Sequence, residues 1–102
     1  MAESVEEQFP AAVTALEEYR DIESRMGSPE VASNPDAIRK LGRRHAELGS
    51  IVNAYLNYKQ LCDDFEAANE MASDDPDFAE EAKRLEEQIP AAKEKLRTAL
   101  IP

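Results

Sequence analysis

The chain has no tryptophan, one cysteine, one histidine and three glycines in 102 residues, and only 6% of it is aromatic. Each shortage excludes something. A lone Cys62 forms no intrachain disulfide and no cysteine-based metal site. A lone His45, with no second ligand at metal spacing, removes the usual zinc arrangements. Asp74, Asp75 and Asp77 lack the glycine and distal glutamate of a calcium loop. The pairs Asp63-Asp64, Asp74-Asp75 and Glu80-Glu81 are too numerous to mark acid–base catalysis and read as solvated faces and caps. With no glycine-rich phosphate loop and no nucleophile elbow either, the expectation is a chain that is not an enzyme and needs no cofactor. No apolar run approaches the ~20 residues that cross a bilayer. The opening run Met1-Ala2-Glu3-Ser4-Val5-Glu6-Glu7 is acidic and lacks the features of a signal peptide. A soluble, cytoplasmic chain is expected, with no membrane partner.

What is abundant is charge set between aliphatic residues. At 42% hydrophobic and 33% charged, the composition suits long helices with wet outer faces, and 102 residues make one domain. Three helices are predicted. The first carries Val5, Phe9, Ala12, Leu16, Tyr19 and Met26 on one stripe, broken near Ile22. Pro10 inside it requires a start or a bend, and Gly27 with Pro29 offers a left-handed cap and a stop.

Asn34-Pro35-Asp36 begins the second helix, expected over about 35–72 with Ile38, Leu41, Leu48, Ile51, Val52, Tyr55, Tyr58, Cys62, Phe65 and Met71 inward. Tyr55 and Tyr58 read as core, Cys62 as a buried thiol and His45 as the edge of the stripe. Asp75-Pro76 opens the third, whose stripe is Phe78, Ala82, Leu85, Ile89, Ala92, Leu96 and Ala99. A Glu80–Arg84 pair is expected on its surface and a bend at Pro90. The fold class is therefore all-α: an elongated three-helix up-down-up bundle, or helical hairpin, with coiled-coil-like packing.

Charge is uneven along the chain. Residues 1–35 hold two basic and eight acidic side chains, residues 36–59 five and two, and residues 60–102 five and twelve. The net −10 repels nucleic acid and anionic lipid, so no sequence-specific nucleic-acid binding is expected and any RNA contact must come from a local patch. The one positive spot is Arg39, Lys40, Arg43 and Arg44. These residues either meet phosphates or carboxylates of a partner, or pair with the chain's own acids. Cations near a helix N-terminus oppose its dipole, which favours a use for them.

The run Gly27-Ser28-Pro29-Glu30-Val31-Ala32-Ser33-Asn34-Pro35, then Glu47-Leu48, Ile51-Val52, Tyr55 and Tyr58-Lys59, resembles the N-terminal domain of the bacterial peptide chain release factor 1 family. Met71, Asp74-Asp75-Pro76 and the terminal Leu100-Ile101-Pro102 continue the likeness in order. The sister type carries a tryptophan in the first connecting loop, and none is present. Gly42, Gly49 and Pro90 depart from the pattern, and His45 stands where tyrosine is common.

The resemblance implies translation termination. In such factors a Pro-x-Thr-type tripeptide reads the stop codon and a Gly-Gly-Gln loop promotes peptidyl-tRNA hydrolysis; neither motif occurs here. It implies for this part a positioning role at the stalk base of the large ribosomal subunit, against ribosomal protein, and help in recognition by a glutamine methyltransferase. A second reading stays open: a free-standing coiled-coil adaptor, with Leu96, Leu100 and Ile101 available for a homodimer.

Overall fold

The computed structural model describes residues 3–102; Met1 and Ala2, part of the acidic opening run, lie outside them. Five helices and no strand are found among the described residues: α1 (Val5–Gln8), α2 (Pro10–Met26), α3 (Pro29–Ala32), α4 (Pro35–Met71) and α5 (Pro76–Leu100). The all-α expectation holds. The first expected helix comes as two pieces, because Phe9 leaves the helical region (φ −130°, ψ 64°) and Pro10 takes the first position of α2. There proline has no intrahelical hydrogen bond to lose.

Helix boundaries follow side-chain capping. Ser4 Oγ accepts from the Glu7 N–H at 3.2 Å, Ser28 Oγ from Val31 at 3.3 Å, Asn34 Oδ1 from Ala37 at 3.2 Å and Asp75 Oδ1 from Asp77 at 3.0 Å. Each satisfies a donor that the first turn would leave open. Gly27 corrects the sequence reading: its φ is −82°, not left-handed. α3 begins two residues later, so the chain stays right-handed, and its Gly27 and Ser28 N–H groups donate to the carbonyls of Ser24 and Arg25.

The chain divides into two compact units, one ending at Asn53 and the other starting at Ala54, with the boundary inside α4. In the first unit α2 packs on the early part of α4. Ala15, Ile22 and Leu48 are buried, with Tyr19, Met26, Leu41 and Ile51 against them. Ile22 therefore continues the stripe through the expected break, and Ala15 is buried where Leu16 is only half-buried.

In the second unit α5 packs on the later part of α4 through Ala68, Ala82 and Leu85, with Leu61, Phe65 and Phe78 alongside. All seven positions of the α5 stripe are buried or half-buried. Met71, expected inward, is 49% exposed at the end of α4. The expected Glu80–Arg84 pair is replaced by Arg84–Glu81, one turn apart. α5 is helical through Pro90, whose ring lies on the exposed side.

Candidate functional site

The four cations read from the sequence all lie on the first turns of α4, within the first unit, and the structure divides them into two kinds. Arg44 is a staple. Its guanidinium grips the Glu18 carboxylate of α2 with two hydrogen bonds, one from Nε and one from Nη2 at 3.0 Å, and donates to Glu47 at 3.3 Å. The hydrogen bond to Glu18, then that to Glu47, raises the Arg44 pKa, and the same contact holds the Glu18 carboxyl below its ordinary value. Arg39 is paired with Asp36 on its own helix, with both side chains mostly in water. Such an exposed pair contributes little to stability.

Lys40 and Arg43 differ. Both are exposed, and neither has an ion-pair partner among the described residues. Three and four residues separate neighbours on one helix face, so Arg39 and Lys40 each stand beside Arg43 one turn on. The sequence showed four equivalent cations. Only the fold, by bringing Glu18 across from α2, shows that Arg44 is already occupied.

His45 sits in the α2–α4 seam. Its ring stacks on Tyr19 with centroids 4.0 Å apart and planes at 22°, and Nε2 lies 3.3 Å from a Glu23 oxygen. It binds the two helices together from the side opposite Arg44. Tyr55 and Tyr58 are buried, as read. Cys62 is half-buried; burial pushes its thiol pKa up, against a hydrogen bond with Tyr58. A thiol held in that form is a poor nucleophile. A shallow groove of about 480 Å³ in the second unit, floored by Leu61, Ala91 and Ala92, was not legible in the sequence. Its rim offers Glu87 and Lys95 but no nucleophile. No helix among the described residues is long and apolar enough to cross a membrane.

The Glu18–Arg44 staple makes a pH prediction. A folded-state carboxyl pKa below the unfolded one adds stability that is complete above the unfolded pKa and is lost as pH falls through the folded one. Acid unfolding of the chain, followed by circular dichroism, should therefore include a component below the ordinary carboxylate range. Glu18→Gln should remove that component, and an unchanged acid profile would contradict the staple.

Residues 15–102 match the family described as the PCRF domain. The chain belongs to the PCRF domain family. The match begins within α2 and takes in the whole basic surface of α4. The chain is also similar to proteins named peptide chain release factor 1. It is 77% identical to that of Bifidobacterium adolescentis over 97 residues, 95% of this chain and 27% of the relative. It is 69% identical to that of Bifidobacterium longum strain DJO10A over the same shares. With that of Renibacterium salmoninarum it shares 51% identity over 92% of this chain and 26% of the relative. The chain thus spans about a quarter of the length of these relatives. No solved structure matches it. Among the described residues this PCRF domain is built of helices joined by short turns, and its charged side chains form surface pairs and a basic spot on α4.

Proposed function

We propose that this PCRF domain is the non-catalytic arm of a class 1 peptide chain release factor. It positions the factor on the ribosome, at the stalk base of the large subunit, during stop-codon-directed termination. The observation that carries this reading is 77% identity to a protein named peptide chain release factor 1 across 95% of the chain. The chain has no Gly-Gly pair, so peptidyl-tRNA hydrolysis and codon reading fall to other parts of the parent. A protein-glutamine methyltransferase is a second partner on this reading, with the arm helping that enzyme to hold its substrate. The cytoplasm is where such a factor works.

The contact with the ribosome is assigned to the basic surface of Arg39, Lys40, Arg43 and Arg44. Within it Lys40 and Arg43 are the testable pair, because replacing Arg44 also cuts the staple to Glu18. In a titration against large ribosomal subunits at low ionic strength, Lys40→Glu with Arg43→Glu should weaken binding at least tenfold. Unchanged affinity would sink the surface assignment.

A further inference from the structure

The outer face of α5 carries its charges in an order that complements itself. Counting outward from the exposed Ala91, the exposed side chains on this face are Gln88 and Glu94 at three residues, Glu87 and Lys95 at four, and Arg84 and Thr98 at seven. Steps of three, four and seven keep them together on one side of a helix. Arg84 is held by Glu81, and Arg97 stands by Glu94. Glu87 and Lys95 have no ion-pair partner among the described residues. They sit about 12 Å apart along the helix at 1.5 Å per residue, too far to neutralise each other. The groove of about 480 Å³ runs beside this face, with Leu61, Ala91 and Ala92 as its floor and Asn57 and Gln88 on its walls.

A two-fold axis through Ala91, perpendicular to α5, would set each residue opposite the one equally far beyond Ala91 in a second copy. Glu87 then meets Lys95 of the second copy and Lys95 meets its Glu87, so both unpaired charges are neutralised at once. The Gln88 amide can donate to the opposing Glu94, Arg84 faces Thr98, and Ala91 faces itself, where a larger side chain would hold the helices apart. No like charges are opposed. An axis one turn earlier at Glu87, or at Glu94, would press two carboxylates together at its centre, and like charges in contact select against a register.

We infer that the second unit pairs with a second copy of itself, α5 antiparallel to α5 about a two-fold axis at Ala91. An unrelated helix would have to carry these charges in the reverse order, whereas a second copy supplies that order by symmetry. The contact goes beyond the ribosomal reading and uses none of its residues. Nor does it use Leu96, which has no exposed surface. From Arg84 to Thr98 the face is about 21 Å long. That strip is small against the roughly 1,600 Å² of a standard interface, so the pairing is weak and forms only at high concentration. The net −10 of each copy opposes it at a distance, but physiological salt screens exposed charges beyond about 8 Å and leaves opposite charges in contact.

The test is sedimentation equilibrium of the 102-residue chain at physiological ionic strength, up to about 1 mM, the concentration range that reads weak association. The mass should rise from that of one chain toward that of two. Glu87→Lys and Lys95→Glu each oppose like charges twice, so each variant should associate at least tenfold more weakly, with an unchanged helical circular dichroism spectrum. Mixing the two variants should restore association, because opposite charges then face each other in both pairs and the total charge equals that of two unaltered chains. A single-chain mass at every concentration would overturn the pairing. Association that survives either single reversal, or that the mixture fails to restore, would overturn this interface and its two-fold arrangement.

Discussion

Replacing Leu96 by alanine should destabilise the chain by about 3 kcal/mol, within the usual 2–5 kcal/mol for emptying a buried leucine site. Leu96 has no exposed surface, and among the described residues Tyr55 and Val52 are the other large side chains enclosed nearly as fully. Of the fourteen buried hydrophobic residues among those described, six are alanines, so few large side chains stand ready to close over the gap. Domains of this size hold together by only about 5–15 kcal/mol, so the loss is a large fraction of the whole. In urea denaturation followed at 222 nm, the midpoint should fall by 1–3 M at ordinary slopes of about 1–3 kcal/mol per molar. A loss under 1 kcal/mol would mean that Leu96 is not a principal member of the core.

The second large effect runs the other way. Gly42 and Gly49 lie inside α4, and a methyl group added at either meets nothing within 4 Å. Glycine costs a helix interior about 0.8–1 kcal/mol relative to alanine, through the freedom it keeps in the unfolded chain. Gly42→Ala with Gly49→Ala should therefore raise stability by about 1.5–2 kcal/mol, a gain of roughly 6–15 °C in melting temperature for a domain of this size. If melting is unchanged or lowered, space that looks empty around α4 is needed by the folded chain.

These two predictions mark where the sequence was legible. Polar punctuation was: Asn34-Pro35 and Asp75-Pro76 place the starts of α4 and α5 correctly because a capping oxygen and a proline leave few other conformations. The α5 stripe was readable because its three- and four-residue steps never slip. The α2 stripe was not, since Ala15 carries too little side chain to stand out beside Leu16, and burial of Ile22 was decided by the neighbouring helix. Gly27 was misread because glycine permits a left-handed cap but does not compel one. At the basic surface the sequence supplied all four residues. It could not separate them, because Glu18 is 26 positions from Arg44 and only folding brings its carboxylate there.

The most direct test of the central claim is to read the gene beyond the codon for Pro102. The account predicts a continuing frame of a few hundred residues that carries a Gly-Gly-Gln loop and a Pro-x-Thr-type tripeptide. A stop codon close after Pro102, or a long frame lacking both motifs, would contradict it and leave a helical adaptor outside translation termination.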